Sequence, residues 1–213
     1  MLRNIHKDWL GAGFVAVLGL AILIFVPVYF DLFEVLQMTK YVVLALFVLS
    51  LAYIWGFGGI LSFGQAGFFG LGGYVFAVSA INMGQTTIPF LIAIALCVLF
   101  AGALGYFMFY GRLNDVYLGV VTLVVTLILY KLINHTAGPE YIIGTARLGG
   151  FNGIPSIPIM TLPWQPDQEM EPAQMFQYFM AILIAVYVLL HVLIKSKFGR
   201  VAISIRENEV RTS

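Results

Sequence analysis

The sequence predicts an all-α integral membrane protein with about six transmembrane helices. Of its 213 residues, 61% are hydrophobic and only 10% are charged, whereas a soluble domain carries about 25% charged residues. No Asp, Glu, Lys, Arg or His lies between Lys40 and Arg112, a run of 71 residues. About 20 residues cross the hydrocarbon core of a bilayer as a helix. This run alone is therefore long enough for three crossings.

The first apolar stretch runs from Trp9 to Phe30 and follows the basic residues Arg3 and Lys7. It is longer than the apolar core of a signal peptide and lacks a small-residue cleavage site at its end. We therefore expect it to remain in the protein as the first membrane helix. The six crossings are predicted at residues 9–30, 41–56, 60–82, 88–110, 114–134 and 175–194.

The second and third predicted crossings meet in a glycine-rich segment, Gly56–Gly73, in which eight of the eighteen residues are glycine. The pattern fits either two ordinary crossings or a broken, partly re-entrant pair, which would change the count. Small residues recur every four positions at Ser62, Ala66 and Gly70. They recur every three positions from Gly64 to Gly73. Both spacings place small side chains along one side of a helix, where another backbone approaches closely.

Two interpretations of the glycine-rich segment stay open. It is a helix-packing seam, or it borders a translocation path, because irregular backbone at membrane depth persists only where protein or a water-filled cavity covers it. The candidate residues for these roles are Ser62, Gly64, Gln65, Gly67 and Gly70.

The fifth and sixth predicted crossings are separated by residues 135–174, which contain six of the eight prolines. This external loop is long for a structureless connection, and long loops are often functional. An even number of crossings places eight of the eleven basic residues on the side of the two chain ends. The positive-inside rule therefore predicts that both ends are cytoplasmic. The expected division is a transmembrane domain, residues 1–194, and a cytoplasmic segment, residues 195–213.

Nothing in the sequence indicates catalysis, a bound metal or a cofactor. The three histidines, His6, His135 and His191, are far apart, and none has a second metal-ligating residue at a suitable spacing. The chain has no phosphate-cradling glycine loop that ends in Lys-Ser or Lys-Thr. Its apolar runs hold no ionisable group for a proton relay. Asp115, at the start of the fifth crossing, is predicted to be a helix N-cap.

The C-terminal segment is polar and carries both charge signs. Phe198, Val201, Ala202 and Ile205 share one face of a predicted helix. Such a helix lies on the bilayer surface, held by its basic residues, or inserts into a groove of a cytoplasmic partner. Membrane lipid is thus an expected contact, and nucleic acid is not.

Four segments, in order along the chain, resemble the branched-chain amino acid ABC transporter permease family of the LivM type. The most specific are Gly58-Gly-Ile-Leu-Ser-Phe-Gly-Gln-Ala-Gly-Phe-Phe-Gly-Leu-Gly-Gly-Tyr74 and Phe198-Gly-Arg-Val-Ala-Ile-Ser-Ile-Arg-Glu-Asn-Glu209. The first is similar to the family signature G-x-L-S-x-G-[HQ]-A-x-F-x-G-x-G-A-Y, and the second to its cytoplasmic F-G-R-x-x-x-A-I-R-E-N-E loop. Tyr117–Leu123 and Gly149–Ile154 are similar to landmarks between them.

The resemblance implies one permease subunit of an importer in the bacterial inner membrane. Its implied partners are a second permease subunit, cytoplasmic ATP-binding subunits and a periplasmic substrate-binding protein. The resemblance also implies that a cytoplasmic coupling helix docks onto the ATPase through Phe198, Gly199, Arg200, Ile205, Arg206, Glu207, Asn208 and Glu209. Family chains usually continue with further membrane helices, so two interpretations stay open: a complete functional subunit, or a truncated or frameshifted copy.

Two other classes of function remain open from the residues. A passive channel or facilitator would need no ATPase and would conduct by itself. A non-transporting, truncated membrane subunit would leave uptake unchanged when deleted. A membrane-embedded enzyme ranks behind both, because no catalytic set is visible. Branched-chain amino acids, other amino acids, urea and short amides all remain open as substrates.

Overall fold

A computed structural model of the protein describes residues 2–111, 114–197 and 199. In this part of the chain there are six helices that are long and apolar enough to cross a membrane. The all-α transmembrane fold class is therefore confirmed. The helices are α1 (Leu2–Tyr29), α2 (Leu32–Gly58), α3 (Gln65–Met83), α4 (Thr87–Tyr110), α5 (Asp115–His135) and α6 (Pro172–Lys195).

The predicted edges were wrong for α2 and α3. Helix α2 has 27 residues and begins nine residues before the predicted start at residue 41, because Lys40 and Glu34 are accommodated in its first turns. Asp31, just before the helix, donates its N–H to the carboxylate of Glu34 at 3.2 Å, a capping-box contact. Helix α2 ends where Gly59 adopts a left-handed conformation, with φ 70°, which glycine adopts at little cost.

The predicted cap of α5 was wrong by one residue. Asn114 is the N-cap, and its side-chain oxygen accepts a hydrogen bond from the N–H of Tyr117 at 3.1 Å. Asp115 is the first helical residue.

The chain forms two compact units. The first contains α1, α2 and α6. Helix α6 packs against both of the others, and its Phe176 and Met180 share a small buried core with Val26, Val35 and Val42. Most other apolar side chains on these helices are exposed, as expected where lipid is the solvent.

The second unit runs from Ile60 to Met170 and contains α3, α4 and α5. Helix α3 packs against both α4 and α5. On the α4 side, the rings of Phe68 and Phe100 meet edge to face with centroids 5.5 Å apart. A Cβ added at Gly72 would lie 3.3 Å from the Cys97 sulfur. The two helices therefore approach closely where Gly72 has no side chain.

The loop that connects α5 to α6, residues 136–171 and hereafter the α5–α6 loop, is folded. It contains the antiparallel hairpins β1–β2 (Ile142–Ile143 and Ala146–Arg147) and β3–β4 (Thr161–Leu162 and Gln165–Glu169). A short 3-10 helix, Gly150–Asn152, lies between the hairpins. The predicted long connection is thus present, with secondary structure of its own.

The predicted coupling helix falls largely outside the described residues. Helix α6 ends at Lys195, and Gly199 donates its N–H to the Ser196 hydroxyl at 3.2 Å. The other residues implied to dock onto an ATPase stay predictions, because they lie outside the described part of the chain: Phe198, Arg200, Ile205, Arg206, Glu207, Asn208 and Glu209.

Candidate functional site

A non-helical segment, Ile60–Gly64, precedes α3 and is hereafter called the break. Helix α2 stops at Gly59, and α3 starts only at Gln65. Within the break, Gly64 donates its N–H to the hydroxyl of Ser62 at 3.2 Å. Its carbonyl then accepts the N–H of Phe68 at 3.0 Å, which is the first turn of α3. The rest of the break has no helical hydrogen bonds.

The break lies beside the middle of α5. That helix has 21 residues, which at 1.5 Å per residue is about 31 Å, close to the thickness of the hydrocarbon core. Phe63 contacts Thr122 and Thr126, the eighth and twelfth residues of α5. Backbone without helical hydrogen bonds is therefore placed at mid-membrane depth, where every polar group needs a partner within the protein.

The two threonines provide those partners for Phe63. The N–H of Phe63 donates to the hydroxyl oxygen of Thr122 at 3.1 Å. The carbonyl of Phe63 accepts from the hydroxyl of Thr126 at 3.1 Å. Both backbone polar groups of Phe63 are thus bound by side chains of a helix that is about sixty residues away in sequence.

Two glycines allow this close contact. A Cβ added at Gly119 would lie 3.2 Å from the carbonyl oxygen of Leu61. A Cβ added at Gly67 would lie 2.9 Å from the Thr126 hydroxyl and 3.4 Å from the Thr126 Cα. Any larger residue at either position would push the break or the start of α3 away from α5.

The candidate residues of the glycine-rich segment are not all on one side of a helix. Ser62 and Gly64 lie in the break, outside the helix on which their spacing was counted. Gly67 is buried against α5, whereas a Cβ at Gly70 would meet nothing within 4 Å. The amide oxygen of Gln65, the first residue of α3, is buried and accepts no hydrogen bond from the described residues.

The sequence interpretation missed Gly119, Thr122 and Thr126. A signal was available, because Thr122 and Thr126 are the only threonines of α5 and their spacing of four residues places them on one face. Gly119 lies one turn before Thr122 on the same face. Sequence alone does not show what that face contacts.

The other end of α3 holds the α5–α6 loop. Asn82 donates its amide to the carbonyl of Ile143 at 2.9 Å and accepts the N–H of Thr145 at 2.8 Å. The hydroxyl of Tyr74 donates to the carbonyl of Gly150 at 3.0 Å. Gly144, with φ 62°, forms the tip of β1–β2 directly against the Asn82 amide, a position that no side chain could share.

A buried pair of threonines anchors the second hairpin. Thr86, between α3 and α4, is fully buried. Its hydroxyl lies 2.9 Å from that of Thr161 and accepts the N–H of Thr161 at 2.8 Å. Together with Asn82, this contact places both hairpins at the C-terminal end of α3, whereas Tyr74 binds the 3-10 helix between them from the middle of α3.

The family model for the branched-chain amino acid transport system / permease component matches residues 33–212. The chain belongs to this family. It is therefore a multi-pass membrane component of a transport system, and the suspected family is confirmed. The match covers the glycine-rich segment, the threonines of α5, the α5–α6 loop and Phe198–Glu209. Comparison with curated proteins and with solved structures gave no match.

Proposed function

We propose that the chain is a permease subunit of a binding-protein-dependent ABC importer for branched-chain amino acids or related small polar solutes. The observation that carries the proposal is the extent of the family match, residues 33–212. It includes the membrane helices α2 to α6 and also the motif Phe198–Glu209. A passive channel would have no need of a docking motif for an ATPase.

The charge pattern supports an external source of energy. Helices α3 and α4 contain no ionisable residue of the Asp, Glu, Lys, Arg or His type. Proton- or ion-coupled transporters need such groups at membrane depth. In this proposal, energy comes from ATP hydrolysis on separate cytoplasmic subunits.

The translocation path is proposed to run beside the break. Irregular backbone at membrane depth is stable where protein or a water-filled cavity covers it. Here α5 covers one side of the break at Phe63, and the other side is left for the path and the second permease subunit. In this proposal Ser62, Gly64, Gln65, Gly67 and Gly70 border the path or its packing seam.

The two ends of the subunit are proposed to meet different partners. The α5–α6 loop, folded and hydrogen-bonded to α3, faces a periplasmic substrate-binding protein. Residues 195–213 lie in the cytoplasm of a bacterial cell and transmit the ATPase stroke through Phe198–Glu209. Residues 1–194 form the transmembrane domain in the inner membrane.

The test of this proposal is an Arg206→Glu variant. It reverses the charge in the docking motif, so we expect loss of ATPase association while membrane insertion remains normal. Co-purification of tagged chain with the ATP-binding subunits measures the first, and membrane fractionation the second. Arg211→Glu is the matched control, because it makes the same charge change in the same segment but outside the motif.

Two outcomes would contradict the importer. One is unchanged association of the ATP-binding subunits with the Arg206→Glu variant. The other is flux of radiolabelled leucine into liposomes that hold this chain alone and no ATP, which would indicate a passive facilitator.

A further inference from the structure

We propose that the hydroxyl groups of Thr122 and Thr126 are positioning groups that hold the break against α5, so that the start of α3 and the middle of α5 move together during transport. The transport consequence rests on the proposed function, whereas the contacts themselves do not. The observation is that both backbone polar groups of Phe63, its N–H and its carbonyl, are bound by these two side chains, each at 3.1 Å.

The need for these hydroxyls follows from where the break lies. In water, the N–H and carbonyl of Phe63 would be hydrogen-bonded by solvent. Beside the middle of α5 they have no helical partner, and a backbone group left unpaired at membrane depth is costly. Among the described residues, only Thr122 and Thr126 bind them.

The two hydroxyls have different capacities. A threonine hydroxyl has one proton to donate and two lone pairs. Thr122 donates within its own helix, to the carbonyl of Leu118 or Gly119, each at 2.9 Å. It accepts the N–H of Phe63 with a lone pair that nothing else among the described residues uses. The described residues offer the Phe63 N–H no other acceptor.

Thr126 has a choice that Thr122 lacks. Its hydroxyl oxygen lies 3.1 Å from the carbonyl oxygen of Phe63 and 2.8 Å from the carbonyl oxygen of Thr122 on its own helix. Thr126 can donate its single proton to either one. It can therefore release Phe63 and remain hydrogen-bonded. We infer that Thr122 is the permanent attachment of the break and Thr126 the exchangeable one.

A glycine on each of the two helices supports a specific contact between the break and α5. Gly119 precedes Thr122 by three residues, and its missing side chain leaves room for the Leu61 carbonyl. The missing side chain of Gly67 leaves room for Thr126. A side chain at either glycine would separate the surfaces before the hydroxyls reached Phe63. Shape and hydrogen bonding thus act at the same place.

Hydrogen–deuterium exchange on the full chain in lipid nanodiscs tests the attachment directly. In Thr122→Val the Phe63 N–H loses its acceptor, so we expect its exchange to quicken about fivefold, the factor that corresponds to one ordinary hydrogen bond. Thr122→Ser keeps the hydroxyl and should exchange like wild type. The readout is deuterium uptake in peptides that cover residues 60–68.

Thr39→Val is the matched control. Thr39 is a buried threonine of α2 whose hydroxyl donates only to its own helix, to the Val35 carbonyl at 2.8 Å. Its substitution should leave residues 60–68 unchanged. Thr126→Val should also leave the Phe63 N–H protected, because that N–H is bound by Thr122.

Equal exchange in Thr122→Val and wild type would overturn the attachment. So would equal acceleration in Thr122→Val and Thr122→Ser, since the hydroxyl would then not be the cause. If the Thr122→Val variant does not reach the membrane, exchange in the wild-type protein tests the attachment instead. Phe63 must exchange more slowly than Leu61, whose N–H has no hydrogen-bond partner among the described residues, and equal rates would refute the proposal.

The role in transport is read separately, from leucine uptake by cells that express the whole transporter. Thr122→Val should reduce the maximal rate at least fivefold, with recovery in Thr122→Ser and no change in Thr39→Val. Normal uptake by a Thr122→Val protein with fast-exchanging Phe63 would overturn the positioning role. Absence of leucine uptake in wild type would instead count against the proposed function and leave the exchange result standing.

Discussion

Gly67 shows how a single residue controls the contact between α3 and α5. It is buried, and its missing side chain leaves room for Thr126. The closest neighbouring atom is the Thr126 hydroxyl oxygen, 2.9 Å from an added Cβ, and moving that hydroxyl away would break its hydrogen bond to Phe63. Glycine inside a helix costs about 1 kcal/mol relative to alanine, so its presence here needs this steric reason.

We expect Gly67→Leu to destabilise the protein and abolish uptake. Leucine regains up to ~1 kcal/mol of helix propensity, but overpacking the close contact between α3 and α5 costs about 1–3 kcal/mol. The net effect is a loss, seen as a lower midpoint in thermal unfolding monitored by fluorescence-detected size exclusion. Leucine uptake by the assembled transporter measures the functional loss.

Gly73→Leu is the control on the same helix. A Cβ there would meet nothing within 4 Å, so this variant keeps the gain in helix propensity without the clash. Its unfolding midpoint should match or exceed that of wild type. A Gly67→Leu protein as stable and active as wild type would contradict the close contact with α5.

At the scale of elements, α3 connects two polar sites. It begins at the break beside the middle of α5, and it holds the α5–α6 loop through Tyr74 at its middle and Asn82 in its last turn. Without these contacts the loop would have little stability, because short hairpins are only marginally stable alone. The hydrogen bonds from α3 explain why the loop has a defined structure.

Asn82→Ala should loosen the β1–β2 hairpin. It removes the bonds to Ile143 and Thr145, each worth about 1 kcal/mol or less at an exposed site. Arg147 in β2 is exposed, so trypsin cleavage after it reports opening of the hairpin. We expect cleavage to become about fivefold faster, the factor that corresponds to the loss of one hydrogen bond worth about 1 kcal/mol.

Asn152→Ala is the comparison for that experiment. Its side chain makes no hydrogen bond among the described residues, and it lies in the same loop. Trypsin should cleave this variant like wild type. If Asn82→Ala were equally resistant, the hairpin would not depend on α3.

At the scale of the whole molecule, the chain divides into two units that interleave in sequence. The first and last described helices belong to one unit with α2, and everything from Ile60 to Met170 belongs to the other. The chain therefore passes between the units twice, once next to the break and once at the end of the α5–α6 loop. The expected division at residue 194 remains a prediction.

Membrane orientation is predicted by the distribution of basic residues. With six crossings, eight of eleven lysines and arginines are on the side of the two chain ends, which is cytoplasmic by the positive-inside rule. In a Cys97→Ala background, Trp164→Cys should react with a membrane-impermeant maleimide from outside the cell. Asn4→Cys should react only after the membrane is opened.

The opposite labelling pattern would invert the topology, and labelling of both cysteines from one side would imply an even number of crossings between them, in place of the five helices α1 to α5. Trp164 suits this test because it is 74% exposed in the α5–α6 loop. Cys97 is the only native cysteine, so one substitution is enough to remove background reaction.

The sequence alone predicted the membrane setting, about six crossings and the family, although it left open a re-entrant pair in the glycine-rich segment. These depend on the length of apolar runs and on local motifs, and both are properties of neighbouring residues. The edges of α2 and α3 were harder to predict, because Lys40 and Glu34 near a helix start look like loop residues, and a glycine-rich stretch fits a helix or an interruption equally well.

Only the tertiary structure decided where α3 begins. Ser62 and Gly64 have the spacing of a helical small-residue stripe, yet they lie in the break. The reason is that Phe63 finds partners on α5, at positions 59 and 63 residues further along the chain. A backbone group leaves a helix inside a membrane only when another part of the protein supplies its hydrogen bonds, and that supply is visible only once α5 is in place.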